Sequence, residues 1–198
     1  MNEKPFSQAC ENNKNAIFSV LKTVFANTKN VLEIGSGSGQ HAVYFAKNLP
    51  WLSWQTSDLE INHQGINQWI DEQPSENLQR PIKLDLQAPW KMSLVDGIYT
   101  ANTLHIVSWA LVENFFVGVK KCLATHGSLC IYGPFNYHGK FTSSSNADFD
   151  IWLKSRNRES GIRDIEAIVL LAQEAGLTLV HDHTMPANNR LLEFVKTQ

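Results

Sequence analysis

Residues 31–41, Val-Leu-Glu-Ile-Gly-Ser-Gly-Ser-Gly-Gln-His, constrain this chain more than any other stretch. Val31, Leu32 and Ile34 form an apolar run short enough for a buried strand, and Gly35, Gly37 and Gly39 follow as a turn. Beyond the turn Ala42, Phe45, Ala46 and Leu49 recur on a helical period. Strand, glycine turn and helix in that order make a nucleotide-cradling unit, in which backbone N–H groups at the helix start face a bound carboxylate or phosphate. Glycine permits the close approach because no Cβ stands in the way. Glu33 lies inside the apolar run, where a carboxylate is costly without a partner; a ligand bearing a positive amino group would supply one. The spacing is G-x-G-x-G. Gln40 stands where a dinucleotide fingerprint places its third glycine, so the match to G-x-G-x-x-G fails. Three glycines alone would also suit a tight strand-to-helix turn with no ligand.

The rest of the chain says what surrounds that unit. At 198 residues it reads as one domain with a substantial core. Its 43% apolar and 18% charged content suits a soluble globular protein. A formal net charge of −2 gives no reason to expect nucleic acid, because Lys and Arg are scattered and not in surplus. No stretch approaches the ~20 apolar residues that span a bilayer, so no membrane partner is expected. The first residues, Met-Asn-Glu-Lys-Pro-Phe-Ser, lack the apolar region of a secretory signal. Cys10, Cys122 and Cys130 are far apart and form no C-x-x-C pair. A reducing, cytoplasmic setting with no disulfide framework and no metal site is the expectation. His181 and His183 share one strand face, but no Cys, Asp or Glu pattern accompanies them as metal ligands would require.

Short apolar strands alternate with helical patterns. Residues 7–25 read as an amphipathic helix through Ile17, Val20, Leu21, Val24 and Phe25. Its polar first half is either a solvated turn or a flap over a ligand crevice, so residues 1–28 form an N-terminal helix or flap. Strands are expected from Trp51 to Asp58, from Pro81 to Leu84, from Gly97 to Ala101 and from Ser128 to Tyr132. Helices are expected over 62–73 and 108–123, and another runs through Ile165, Ile168, Val169 and Ala172 until Gly176. Leu177–His183 and Leu191–Val195 are joined by so short a link that they should form an antiparallel hairpin. Residues 134–163 make a long irregular connection holding Phe135, Tyr137, Phe141, Phe149 and Trp152. Such connections are functional or disordered; the aromatic content favours an ordered lid with a short helix.

This alternation argues for a parallel α/β sheet, whose ligands sit outside the carboxyl ends of the strands. Glu33 through Gly39, Asp58, Asp85 and Asn102 all fall on that edge. Asp58 follows the glycine turn by about 20 positions, where an acid holds a ribose diol in nucleotide-binding units. Taken singly, Asp58 is a surface acid, Asp85 a strand-terminating acid and Asn102 a turn residue.

The pattern E-x-G-x-G-x-G at Glu33–Gly39 resembles the first motif of class I S-adenosylmethionine (SAM) methyltransferases, and the order of elements resembles their fold along nearly the whole chain. Further phrases resemble a small methyltransferase-like family of bacteria and animals. They include Lys4-Pro5-Phe6-Ser7, Leu104-His105-Ile106, Tyr132-Gly133-Pro134-Phe135, Ser145-Asn146-Ala147 and Met185-Pro186-Ala187-Asn188-Asn189. The resemblance implies a Rossmann-like fold with a seven-stranded, mostly parallel sheet, a closing antiparallel hairpin and helices on both faces. It implies SAM as cofactor and supplies no acceptor. Carried over by position, Glu33, Gly35, Ser36, Gly37 and Gly39 would hold the methionine end. Asp58, with Leu59 beside it, would take the ribose hydroxyls. Asp85 would accept from the adenine amino group with Leu86 beside the ring, and Asn102 would lie near the sulfonium.

Two functions follow as expectations. The first is methyl transfer to a small-molecule acceptor; the alternative is a SAM-binding or catalytically silent module acting through protein contacts. A dehydrogenase is weakened by Gln40. His105 is the candidate base, since imidazole titrates near neutral pH; it could equally be a helix-entry histidine. Tyr132, Phe135, Asn146, Asn188 and Asn189 are the candidate acceptor residues, although each asparagine could instead hold a left-handed turn. The sequence assigns no oligomeric state.

Overall fold

The apolar run at 31–34 becomes a strand buried within a sheet. In the computed structural model, which describes residues 4–197, β1 (Asn30–Ile34) pairs in parallel with two neighbours. These are β2 (Ser53–Asp58) and β4 (Val95–Ala101). Beyond β2 lies the edge strand β3 (Leu78–Lys83), and beyond β4 lies β5 (Leu123–Gly133). The hairpin of β8 (Leu177–Thr184) and β9 (Arg190–Lys196) closes the sheet in the order β3-β2-β1-β4-β5-β9-β8. Both of its pairings, β5 with β9 and β8 with β9, are antiparallel. Residues 1–3 of the expected flap, and residue 198, lie outside the described residues.

Side chains alternate across each strand and so feed two cores. On one face Leu32, Ile34, Ile98, Leu129 and Ile131 meet α4 (Trp109–Cys122) and α6 (Ile165–Glu174). On the other, Val31, Trp54, Tyr99 and Cys130 meet α1 (Gln8–Val24), α2 (Gln40–Asn48) and α3 (His63–Glu72). This is a Rossmann-like α/β fold with helices on both faces. Among the described residues no helix is long and apolar enough to cross a membrane. No group of three or more His, Cys, Asp or Glu is placed to hold a metal among those residues. His183 Nε2 lies 2.8 Å from Glu193 Oε2, and Cys10, Cys122 and Cys130 are free thiols.

Two strand starts differ most from the sequence reading. Strand β3 starts at Leu78, ahead of Pro81, because an edge strand has a solvent side where proline's missing N–H costs nothing. Strand β5 starts at Leu123 directly after α4; His126 sits at φ 67° beside Gly127 within a register shift. The connection at 134–163 is largely ordered secondary structure. It holds β6 (Phe135–Asn136), the thirteen-residue α5 (Ser144–Arg156) and β7 (Arg163–Asp164), with β6 and β7 paired in parallel. Ser143 caps α5 by accepting from the Asn146 N–H at 3.1 Å. Tyr137 donates to Asp182 Oδ2 at 2.6 Å and Arg190 Nε donates to Asp182 Oδ1 at 2.7 Å, tying the lid's first end to the hairpin. Its far end is stitched to the turn after β4. There Arg163 Nε donates to the Leu104 carbonyl at 3.0 Å, Ser160 Oγ to Ile106 at 2.6 Å and the Gly161 N–H to His105 at 2.9 Å.

Candidate functional site

Strand order reverses between β1 and β4, which opens a crevice at their carboxyl ends. The glycine turn lies there with Gly35 and Gly37 exposed, both at positive φ (70° and 57°). Gly39 behaves differently. It is buried at φ 91°, and a Cβ on it would sit 3.0 Å from the Ile66 Cα, so this glycine serves the packing of α2 on α3. The turn is also less open to an anion than its sequence suggests. The Ser36, Gly37, Gly39 and Gln40 N–H groups donate to Ser57 O, Asp58 Oδ2, Ser36 O and Ser38 Oγ.

Glu33 has its partners inside the protein. Its Oε2 accepts from Ser36 Oγ at 2.9 Å and from Trp54 Nε1 at 3.1 Å. Ser36 Oγ in turn accepts from the Ser57 N–H at 3.2 Å, so the carboxylate fixes the turn onto β2. Burial pushes the Glu33 carboxyl up to about 7, against the pull of Trp54 and Ser36, and the neighbouring Asp58 adds to the rise. With a folded pKa above the unfolded value, the folded state holds the proton more tightly. Stability therefore falls as pH rises from about 4.5 to about 7. Across that window the protein should lose ~3 kcal/mol relative to Glu33→Gln. Thermal melts of both proteins at about pH 5 and about pH 8 check this; parallel pH profiles would contradict it.

Asp58 closes β2 at 8% exposure. Its Oδ2 accepts from the Gly37 N–H and its Oδ1 from the Leu59 N–H and Asn62 Nδ2, each at 2.7 Å. A carboxylate offers about four lone-pair sites, so one remains. Leu59 is 45% exposed beside it. Asp85 and Leu86 follow β3, half-buried; Asp85 Oδ1 accepts from the Gln87 N–H at 2.9 Å and Leu86 packs on the core. Asn102 ends β4 at φ 55° and its N–H donates to Tyr132 O at 2.9 Å, pinning β4 to β5 at the edge.

A cavity of about 820 Å³ opens beside this edge and meets it at Asn102. Its walls come from the start of α1, the turn after β4, the end of β5, α5 and the β8–β9 turn. Tyr132, Asn146 and Asn189 line it. Phe135 does not: alternation past Pro134 turns it into the core, where it is 2% exposed. Asn188 is outside the lining as well, and at φ 57° it is a turn residue of the hairpin. Asn146 combines two roles, because its Nδ2 also donates to Asn188 O at 3.2 Å and binds the hairpin turn to α5.

His105 faces the cavity at 5% exposure, edge-on to Phe149 with centroids 5.5 Å apart. Its ring has no hydrogen-bond partner among the described residues, and burial, with help from Arg163, lowers its pKa to about 4. It is neutral at physiological pH.

The sequence reading offered the polar start of α1 as a flap over the crevice but named none of its residues as lining the cavity. Ser7, Ala9, Asn12 and Asn13 line it, and their helix is clasped to α2 by Gln40. Gln40 Oε1 accepts from the Ser7 N–H at 2.6 Å and its Nε2 donates to Glu11 Oε1 at 2.8 Å. Asn13 Oδ1 lies 2.7 Å from His41 Nε2, whose Nδ1 lies 3.2 Å from the Tyr99 hydroxyl. Burial holds His41 at about 4, hence neutral, so Nε2–H donates to Asn13 and Tyr99 donates to Nδ1. The residue that breaks the dinucleotide fingerprint is thus the anchor of the N-terminal segment. The signal in the sequence was the unusual polarity of residues 7–14.

A family model described as "Protein of unknown function (DUF938)" matches residues 4–196. Solved structures share the fold at low identity. An O-methyltransferase family protein from Burkholderia thailandensis is 16% identical with a TM-score of 0.83, covering 93% of this chain and 56% of that one. An O-methyltransferase family 2 protein from Planctomyces limnophilus in complex with apigenin is 16% identical with a TM-score of 0.84, covering 96% and 58%. A third, an O-methyltransferase from neocarzinostatin biosynthesis in complex with SAM and 2-hydroxy-5-methyl naphthoic acid, is 15% identical with a TM-score of 0.78, covering 95% and 54%. The chain spans just over half the length of these structures. Its fold is that of the class I methyltransferases.

Proposed function

The chain belongs to the DUF938 family, and we propose that it transfers a methyl group from SAM to an oxygen of a small-molecule acceptor. The observation that carries this reading is the junction at Asn102, where a cavity of about 820 Å³ meets the strand edge that bears Asp58 and the glycine turn. The fold shared with O-methyltransferases, one solved with SAM and 2-hydroxy-5-methyl naphthoic acid and another with apigenin, supports the cofactor, the acceptor class and the reacting atom.

The residues present fit the cofactor. Gly35 and Gly37 leave backbone exposed where a side chain would intrude, and a Cβ on Gly35 would come within 3.0 Å of Thr103 Oγ1. Asp58 keeps one acceptor position for a ribose diol, while Asp85 and Leu86 lie at the end of β3 for the adenine. SAM bound there supplies an activated methyl group. What the chain adds is alignment, which by itself lowers a barrier by ~7–11 kcal/mol, and a base. His105 takes the acceptor's hydroxyl proton as the oxygen lone pair attacks the methyl carbon and the carbon–sulfur bond breaks. A ring with a pKa of about 4 is a weak base alone. The oxyanion forming beside it favours imidazolium, so proton loss is coupled to attack.

The test is incubation with methyl-labelled SAM and a pool of hydroxylated small molecules, reading the demethylated cofactor and labelled product together. Acceptor-dependent release of both in equal amounts is expected. Demethylated cofactor appearing at the same slow rate with and without acceptors would contradict the proposal.

A further inference from the structure

The cavity has a direction, set by one face of α5. Phe149, Trp152 and Arg156 follow one another at steps of three and four residues and so share that face, and all three line the cavity. His105 stands edge-on to Phe149 at 5.5 Å. Phe149 stacks on Trp152 at 5.6 Å with 16° between the planes, and the Arg156 Cζ lies 4.9 Å from the Trp152 ring. The imidazole, two stacked rings and a guanidinium thus form a ladder along the wall. Trp152 is 49% exposed and Ile106, across the turn after β4, 52%, so a continuous apolar surface faces the open cavity.

Charge along this wall is one-sided. Among the described residues no carboxylate lines the cavity, and Arg156 is the one lysine or arginine in the lining. Two other cations of the lid are already engaged, Lys154 with Asp150 and Arg163 with backbone carbonyls. Arg156 has no carboxylate partner among the described residues; a guanidinium stacked on a ring keeps its edge donors for a bidentate anion.

Within the proposed function, we propose that the acceptor is a planar aromatic acid. Its ring system lies against Phe149 and Trp152, its reacting oxygen beside His105 and its acidic group at Arg156. The steps from His105 to Phe149, Trp152 and Arg156 are 5.5, 5.6 and 4.9 Å, a wall that suits a fused or extended hydroxyaryl acid. Arg156 is then the residue that selects anions over neutral rings of the same shape, and Trp152 the one that holds the ring whatever its charge.

Calorimetry with two probes tests this without cofactor in the cell: 6-hydroxy-2-naphthoate and its uncharged amide, 6-hydroxy-2-naphthamide. The wild-type protein should prefer the acid about tenfold, a size held down by the exposure of Arg156. Arg156→Gln should bring the acid to the level of the amide, whereas Trp152→Ala should weaken both probes alike. Equal affinity for the two in the wild type, a preference surviving Arg156→Gln, or no binding of either probe would overturn the assignment. Because neither SAM nor turnover enters this measurement, a protein that selects the acid yet transfers no methyl group would refute the proposed reaction and leave the acceptor class standing.

Discussion

Replacing His105 with Gln is expected to lower methyl transfer about 100- to 10,000-fold, the usual worth of a positioned general base, with SAM affinity unchanged. Glutamine keeps polar atoms on the cavity wall against Phe149 but takes up no proton near neutral pH. The pH dependence separates this role from packing. With the imidazole held at about 4, the acid limb of kcat/KM should fall near pH 4 instead of near 6.5. Stability moves in the same window. His41 and His105 both have folded pKa values of about 4, below their unfolded value. Each adds stability that is complete above about 6.5 and lost as pH falls toward 4, so melts must accompany the rate profile. A variant with near wild-type turnover would make His105 a helix-entry residue and move the base elsewhere.

Asp58→Ala should weaken SAM by ~1.5–3 kcal/mol, the size of hydrogen bonds to a charged group. The effect has two sources. The variant removes the acceptor for the ribose diol and also releases the Gly37 N–H, which Asp58 Oδ2 holds at 2.7 Å. Titration calorimetry of the variant measures the sum. Asp58→Asn separates the sources, since its amide oxygen can still accept from Gly37 while a full charge no longer faces the diol. A loss below a few tenths of a kcal/mol in Asp58→Ala would mean that another residue binds the ribose.

The sheet was readable in the sequence because its strands are short apolar runs punctuated by glycine and proline, and because the short link at 185–189 allows only a hairpin. Pro81 misled only where β3 is an edge strand, whose exposed side tolerates it. The strand-edge acids could be located for the same reason: each follows a strand end. Glu33 was harder. A carboxylate in an apolar run implies a partner, but Trp54 and Ser36 are brought to it by strand pairing, which a linear pattern does not display. Gly39 could not be told from its neighbours, since only the approach of α3 separates a packing glycine from an open one. The asparagines at 188 and 189 differ by one position and by which way the hairpin turn faces. Arg156 carried no local signal at all; its place depends on the phase of α5 against the cavity.

On the proposed function, the glycine turn, Asp58 and Asp85 form a SAM site and not a dinucleotide site. Calorimetric titration of the protein with SAM, with its demethylated product and with NAD tests it most directly. Gln40 occupies the fingerprint's third glycine position and is buried in the clasp to Ser7 and Glu11. The expected result is saturable binding of SAM and of the demethylated product, with no heat from NAD. Saturable NAD binding, or no binding of SAM by a folded protein, would contradict it.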